Sequence, residues 1–287
     1  MNAPIRSWLY VPADRPERVA KALVSAADAI VIDLEDAVAA PAKEAARATA
    51  VAAVSAPHDK QVWVRVNDLS SPWGADDLTA LAGTAAAGVR LPKCEDPDAI
   101  HRAAELSGMP LYLLIESAVG LERATELARA HPAVVGIALG EADLCADLGI
   151  TDEGALAYAR GKIVAVARAA RLPSPPQSVF TDVHDRDGLR TSTERARAAG
   201  FFGRSVVHPD QIPIVNTVFT PSAEEVSAAR ALLAALDAAE AEGRATLLTS
   251  EGRFVDPAVA AAAHRVVAIA AAITTPAGHE IAERGES

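Results

Sequence analysis

The feature of this sequence that most limits its fold is a repeated alternation of short β-rich runs with longer alanine-rich segments of helical period. Such alternation predicts parallel strands joined by crossover helices. Eight strand-like runs occur, at residues 7–12, 29–36, 61–67, 88–93, 110–117, 134–140, 178–183 and 203–209. Eight runs of this kind predict an α/β fold that forms a (β/α)8 TIM barrel.

A doubly wound open sheet would also alternate strands and helices. That fold usually carries a glycine-rich phosphate-binding turn after its first strand. The segment VPADRPER at residues 11–18 contains no glycine. The barrel is therefore the favoured architecture, with the open sheet as the alternative.

The pattern changes after residue 220. Ser222 and Glu225 form a capping box that opens a helix without a strand before it, and Gly243 is its natural end. A last helix, rich in alanine and valine, is predicted at residues 257–273. We therefore predict a barrel domain over residues 1–220 and a C-terminal helical extension over residues 221–287, which packs on its own barrel or on a neighbouring subunit.

Composition excludes several classes of protein. Hydrophobic residues make up 51% and charged residues 23%, and the formal net charge is −11, which disfavours binding to nucleic acid. The alanine-rich stretches are interrupted by charges, so no membrane span is predicted. Two cysteines provide no disulfide framework, and the amino terminus has no export-signal pattern. A cytoplasmic location is the expectation.

In a TIM barrel the active site lies at the carboxyl ends of the strands. Polar residues stand at or near the ends of seven predicted strands, and carboxylates dominate them. They are Asp33, Glu35, Asp36, Arg65, Asn67, Lys93, Glu116, Glu141, Asp143, Asp182 and His208.

Glu116 and Asp143 follow neighbouring predicted strands, which would bring two like charges close together. A divalent cation would supply the counter-charge. Oxygen ligands without nearby His or Cys point to a hard ion such as Mg²⁺, with Mn²⁺ as a substitute. The alternative is that both carboxylates form ordinary ion pairs with Arg or Lys at the rim.

Arg65 ends the adjacent run VWVR and could hold a substrate carboxylate through two parallel hydrogen bonds. It could instead neutralise Asp33 or Glu35. Glu35 and Asp36 lie in the segment DLED, where we expect their carboxylates to face the barrel mouth as bases or as water-mediated contacts to a metal.

Several motifs, in order along the chain, resemble the citrate lyase β-subunit-like group within the HpcH/HpaI aldolases. They are LYVPADRPERVAKAL, DAIVIDLEDAV with the following Lys43, VWVRVN, LYLLIES, LGEADLCADLG, SVFTDVHDRDGL and GFFGRSVVHPDQ. The resemblance extends from about residue 6 to residue 270. It implies an enzyme, a Mg²⁺-dependent carbon–carbon lyase with a coenzyme A thioester as substrate.

The resemblance also implies roles for particular residues. Glu116 and Asp143 would ligate Mg²⁺, and Arg65 would bind the carboxylate of the keto-acid half. Backbone amides near Ala142 and Asp143 would help to hold that carboxylate.

Roles for three further residues follow from the same resemblance. Arg15 and Arg18 would border the coenzyme A channel and contact its phosphates. Asp256 would act as an acid or base in the site of a neighbouring subunit of a homotrimer or hexamer. Here the sequence reads FVDPAV, in which the proline is shifted relative to the motif of the family.

The implied substrates are 3-hydroxyacyl thioesters such as citramalyl-CoA, malyl-CoA or citryl-CoA. Cleavage would give acetyl-CoA and a keto acid, and the reverse reaction would be a condensation. Two alternatives remain open. One is an aldolase acting on free 2-keto-3-deoxy acids, although DLED lacks the histidine base typical of those enzymes. The other is a non-catalytic or acyl-carrier-dependent subunit of a lyase complex.

Overall fold

The structure is a computed structural model that describes residues 4–243, 246–248 and 254–274. It divides into two compact units, Ile5–Phe219 and a second that begins at Thr220 and also includes Pro4. The first unit is an α/β structure around one parallel sheet, so the predicted fold class is confirmed at this level. Along the described residues no helix is both long and apolar enough to cross a bilayer.

Seven parallel strands form the sheet, in the order β6-β5-β4-β3-β2-β1-β7. Each strand is short and mostly buried. The strands are β1 (Ser7–Pro12), β2 (Ala29–Asp33), β3 (Gln61–Arg65), β4 (Gly88–Leu91), β5 (Leu111–Ile115), β6 (Val134–Leu139) and β7 (Arg204–Val206). Neighbours in sequence are also neighbours in the sheet from β1 to β6, as crossover connections require.

Nine helices of the first unit accompany these strands. They are α1 (Pro16–Leu23), α2 (Lys43–Ala53), α3 (Gly74–Leu81), α4 (Pro97–Ser107), α5 (Ala118–Leu127), α6 (Glu141–Leu148), α7 (Ala157–Ala169), α8 (Arg186–Ala198) and α9 (Ile212–Phe219). Local sequence explains their ends. In α4, for example, the Asp96 side chain accepts a hydrogen bond from the Asp98 amide at 3.2 Å, and the helix stops at Gly108 with φ +63°.

The predicted seventh strand at residues 178–183 is wrong. Gln177, just before this segment, forms a single β-bridge with Arg204 of β7. Ser178 contacts β6 through its side chain, since its hydroxyl donates to the Leu139 carbonyl at 2.7 Å. Pro173, Pro175 and Pro176 precede it, and proline has no amide hydrogen to donate to a ladder. The sheet is thus a curled seven-stranded half-barrel in its hydrogen bonding rather than a closed eight-stranded barrel.

Alternate side chains of the strands form two apolar layers. One set, which includes Leu9, Ile30 and Ile32, packs in the large core with the helices. The other set lies on the inner face of the curled sheet, where Trp8, Trp63 and Tyr112 form a cluster with ring centroids 5.4–5.9 Å apart. Gly136 leaves the space that the Tyr112 ring fills.

The second unit contains α10 (Ala223–Ala241), α11 (Pro257–Thr274) and a two-residue antiparallel pair, β8 (Leu247–Leu248) with β9 (Phe254–Val255). The predicted capping box is present, since Ser222 and Glu225 bond to each other's backbone amides at 2.8 and 3.1 Å. Gly243 follows α10 with φ +75°. These helices lie where the sequence predicts them.

Candidate active site

A cavity of about 820 Å³ opens where the strands of the first unit end. Its lining combines side chains from the strand ends with the first turn of α6 and part of α7. Residues that carry charge or hydrogen-bonding groups there include Tyr10, Asp33, Asp36, Arg65, Arg90, Glu116, Glu141, Asp143, Arg160, Ser178 and Arg204. The cavity therefore occupies the location predicted for an active site.

Three of five connected charged residues at the strand ends line this cavity, and we name the five the strand-end cluster. It consists of Asp33, Glu35, Arg65, Lys93 and Glu116. Asp33 and Arg65 are register partners on β2 and β3, so their side chains meet on the same face of the sheet.

Arg65 is the centre of the strand-end cluster. Its Nε and Nη2 donate to the two oxygens of Asp33 at 2.7 and 2.6 Å, and its Nη1 lies 2.8 Å from Glu35 Oε2. Burial by itself would lower the pKa of Arg65, but the neighbouring carboxylates of Asp33 and Glu35 raise it well above its ordinary value. The alternative in which Arg65 neutralises these carboxylates is therefore realised. Its hydrogen bonds to Asp33 use two of the five guanidinium hydrogens.

Glu35 is buried between two cations. Lys93 Nζ lies 2.9 Å from Glu35 Oε1, opposite the contact with Arg65. Burial raises the pKa of Glu35, and the charges of Arg65 and Lys93 oppose that rise. The loop that carries Glu35 is held by Lys43, whose Nζ donates to the carbonyls of Leu34 and Glu35 at 2.7 and 2.6 Å. Asp36 is half exposed at the mouth.

Glu116 stands just beyond β5 and is 5% exposed. The Lys93 amide donates to its Oε2 at 2.9 Å, from a backbone with the unusual φ of +51°. The absence of a side chain at Gly140 leaves room for its other oxygen. Burial first, and then the charge of Glu35, raise the pKa of Glu116 to about 7, and Asp143 adds to the rise. Glu116 therefore lacks a fully compensating cation among the described residues.

Asp143 lies in the first turn of α6, exposed to the cavity that Glu116 also lines. The residues described include no group of three His, Cys, Asp or Glu arranged around a metal position. Two carboxylates are nevertheless what Mg²⁺ commonly takes from a protein, with water and substrate as its other ligands. The acidic pair and the raised pKa of Glu116 fit a hard divalent cation.

A second group of polar side chains lies around the start of α6, and we name it the helix cluster. It consists of Glu141, Glu153, Arg160 and Gln177. Arg160 donates to both oxygens of Glu141 at 2.9 and 2.7 Å and to Glu153 at 2.8 Å. Gln177 Nε2 donates to Glu141 at 2.9 Å. This network fixes the start of α6, whose first-turn residues Ala142 and Asp143 line the cavity.

Four predicted site residues are not among those that line the cavity. Glu35 pairs with the lining residue Arg65 but does not itself line the cavity. Arg15 and Arg18 are exposed around the start of α1 and do not line the cavity. Asp256 belongs to the second unit, where its Oδ1 accepts hydrogen bonds from the amides of Ala258 and Val259 at 3.0 Å and so caps α11.

The family model for HpcH/HpaI aldolase/citrate lyase matches residues 6–209 of this chain. The chain belongs to this family. The predicted family membership and the predicted enzyme class, a carbon–carbon lyase, are thereby confirmed.

Individual relatives refine the placement within the HpcH/HpaI family. The chain is 36% identical to a (3S)-malyl-CoA thioesterase of Cereibacter sphaeroides, over 94% of this chain and 96% of the relative. It is 32% identical to the citrate lyase subunit beta of Leuconostoc mesenteroides subsp. cremoris, over 92% and 93%. The crystal structure of CitE from Mycobacterium tuberculosis with magnesium, acetoacetate and coenzyme A superposes with a TM-score of 0.81 at 35% identity, over 94% of this chain and 98% of that one.

The roles of three residues at or near the cavity of this HpcH/HpaI family member do not follow from the sequence alone. The sequence identifies Lys93 as a strand-end residue. It does not reveal the positive φ angle of Lys93, with which the side chain contacts Glu35 while the amide donates to Glu116. Arg160 lies in a helix without any local motif. Arg90 did carry a signal, since it is the one charged residue inside the otherwise apolar run GVRL.

Proposed function

We propose that this protein is a Mg²⁺-dependent lyase that cleaves a 3-hydroxyacyl-CoA thioester, such as malyl-CoA, citramalyl-CoA or citryl-CoA, into acetyl-CoA and a keto acid, or that forms it by condensation. The observation that carries the proposal is the pair Glu116 and Asp143 lining one cavity with Arg65. Further support comes from the CitE relative, whose complex holds magnesium, acetoacetate and coenzyme A together.

Glu116 and Asp143 are the residues that would hold Mg²⁺, with Mn²⁺ as a substitute. When bound there, the ion would stabilise negative charge on the substrate oxygen at the carbon that becomes the keto group. Ionised Glu116 is required for this role. A cation beside it would offset the burial that now favours its protonated form.

Arg65 binds the carboxylate of the keto-acid half with the guanidinium hydrogens that Asp33 and Glu35 leave unused. The first-turn amides at Ala142 and Asp143 supply further donors, and the positive end of the α6 dipole favours an anion at this place. The carboxylate would thereby be held so that the neighbouring substrate carbon, which carries the 3-hydroxyl group, faces Glu116 and Asp143.

Proton transfer is assigned to Glu35 and Asp36. Glu35, held between Arg65 and Lys93, removes the hydroxyl proton. The carbonyl then forms while the C2–C3 bond breaks, and its electron pair passes to the thioester enolate, which takes up a proton at C2 to become acetyl-CoA. Asp36, at the exposed mouth, exchanges protons with water.

Residues outside the cavity complete the proposal. Arg15 and Arg18 would contact the phosphates of coenzyme A from the exposed start of α1. Asp256 would protonate the enolate in the cavity of a neighbouring subunit of a homotrimer or hexamer. Both assignments depend on the family resemblance.

The test is an assay of purified protein with each of the three thioesters, with separate measurement of acetyl-CoA and keto acid. We expect Mg²⁺-dependent release of both products in equal amounts from at least one thioester. Chelation with EDTA should abolish the release. Turnover of a free 2-keto-3-deoxy acid without any thioester, combined with no acetyl-CoA release, would instead identify an aldolase.

Thioester hydrolysis is a second candidate activity, favoured by the 36% identity to a (3S)-malyl-CoA thioesterase. The same assay separates the two reactions when malyl-CoA is the substrate. Cleavage gives acetyl-CoA and glyoxylate, whereas hydrolysis gives free coenzyme A and malate.

A further inference from the structure

Arg90 lies on β4, on the inner face of the curled sheet. It is the register partner of Arg65 on one side and of Tyr112 on the other. Its side chain is fully buried, yet Arg90 is among the residues that line the cavity. The inner face carries charged side chains at this level, since Asp33, Arg65 and Arg90 are in register, but Arg90 also packs against the aromatic cluster of Trp8 and Tyr112.

Among the described residues, the guanidinium group of Arg90 is in contact with aromatic rings but with no hydrogen-bond acceptor. Its guanidinium carbon lies 4.6 Å from the ring centroid of Tyr112, 4.8 Å from that of Trp8 and 5.5 Å from that of Tyr10. Among the described residues, none of its three guanidinium nitrogens has a hydrogen-bond partner. The buried Trp8 Nε1 likewise finds no acceptor there. The aromatic faces therefore compensate the charge only in part.

The contrast with Arg65 is direct, since both guanidinium groups lie against Tyr10. Arg65 is matched by Asp33 and Glu35, so its positive charge is largely cancelled before a substrate arrives. Arg90 has no such partner in the described part of the chain. A buried charge without a partner lowers stability, and a neutral side chain of similar size would remove that penalty.

We propose that Arg90 is a specificity-determining residue for anionic substrates, which raises their affinity through its unmatched charge in the cavity wall. This inference rests on the proposed function, because it requires that a keto-acid carboxylate binds in the cavity. In a poorly solvated interior, the field of a unit charge extends well beyond contact distance. The same field opposes a divalent cation at Glu116 and Asp143.

A role through charge makes a prediction that a structural role does not. Replacing Arg90 by a neutral side chain should weaken the binding of an anion and strengthen the binding of a cation in the same cavity. Loss of packing would weaken both. Stability gives a third readout, since removing an unmatched buried charge should not lower the unfolding midpoint.

The experiment compares the wild type with Arg90→Met, which removes the charge, and Arg90→Lys, which retains it. Calorimetry measures Mg²⁺ binding alone and pyruvate binding at saturating Mg²⁺, and thermal unfolding is recorded for each protein. Val89→Ala is the matched control, because Val89 is buried on the same strand but belongs to the core shared with the helices. It should lower the unfolding midpoint and leave both affinities unchanged.

For Arg90→Met we expect about tenfold weaker pyruvate binding, Mg²⁺ binding stronger by a factor of about two to five, and an unfolding midpoint at or above that of the wild type. Arg90→Lys should keep pyruvate affinity within about threefold of the wild type. Unchanged pyruvate binding in Arg90→Met, or weaker binding of both ligands with a lower midpoint, would overturn this inference and leave the proposed function intact. A wild-type protein that binds neither Mg²⁺ nor pyruvate would overturn both.

Discussion

The strand-end cluster and the helix cluster both contain carboxylates paired with basic side chains, but the two clusters are built differently. In the strand-end cluster, the positions of Asp33 and Arg65 are set by the register of neighbouring parallel strands. In the helix cluster, Arg160 reaches Glu141 from a different helix, and Gln177 comes from a segment without regular ladder bonds. The positions of charges in the strand-end cluster therefore follow from strand register. Those in the helix cluster depend on how separate elements pack.

The difference also appears in how well each charge is compensated. Arg160 is satisfied by three oxygens of Glu141 and Glu153, and its pKa is raised chiefly by the hydrogen bonds to Glu141. Glu116 on the strand side remains a buried carboxyl with a raised pKa. We infer that the strand-end cluster is adapted to ligand binding and the helix cluster to holding α6 in place. The proposed metal pair would join them, since Asp143 lies on α6.

The largest expected effect is the loss of metal binding on the strand side. Glu116→Gln keeps the shape of the side chain but removes its charge, so Mg²⁺ affinity should fall by about a thousandfold or more, as expected for one of two anionic ligands. Calorimetry with Mg²⁺ measures this directly. Glu122→Gln on the outer surface of α5 is the control and should bind Mg²⁺ like the wild type. Equal affinity in the two variants would contradict the assignment of Glu116.

The next effect concerns stability. Arg65→Met leaves Asp33 and Glu35 buried without their shared partner, and we expect a loss of about 3 kcal/mol in the free energy of unfolding, together with loss of pyruvate binding. Arg47→Met is a matched control, because Arg47 pairs with the buried Asp77 at 2.6 Å and does not line the cavity. It should also destabilise the protein in denaturant titrations, but it should leave pyruvate affinity unchanged. Similar pyruvate affinity in both variants would remove Arg65 from the binding site.

The raised pKa of Glu116 predicts how stability depends on pH when no metal is added. The folded protein holds this proton up to about pH 7, whereas the unfolded chain releases it near 4.5, so the contribution of Glu116 to stability is present below pH 4.5 and is lost as the pH rises through 7. The loss should amount to about 3 kcal/mol at most. Thermal unfolding between pH 4.5 and 8 should therefore show a smaller decline for Glu116→Gln than for the wild type. Parallel curves would show that Glu116 is not the cause.

The same comparison explains what could be predicted from sequence. The strand ends were located because β-rich runs and the polar residues after them are local signals, and the meeting of Arg65 with Asp33 follows from strand order. The run SVFTDV looks equally strand-like. Pro175 and Pro176 just before it are visible in the sequence, but the attachment of Gln177 through a single bridge is visible only in three dimensions. Arg160 has no local signal at all, since its partner Glu141 belongs to another helix, 19 residues earlier in the chain.

The smallest expected effect is on the helix side. Arg160→Met removes the partner of Glu141 and Glu153, of which only Glu141 is largely buried, so we expect a loss of about 1–2 kcal/mol in the free energy of unfolding. Mg²⁺ affinity should change by less than about threefold, because Asp143 is still carried by the first turn of α6. Denaturant titration and calorimetry on one preparation test both statements. A large loss of Mg²⁺ affinity with little change in stability would mean that the helix cluster is itself part of the binding site. The assignment of ligand binding to the strand-end cluster alone would then be wrong.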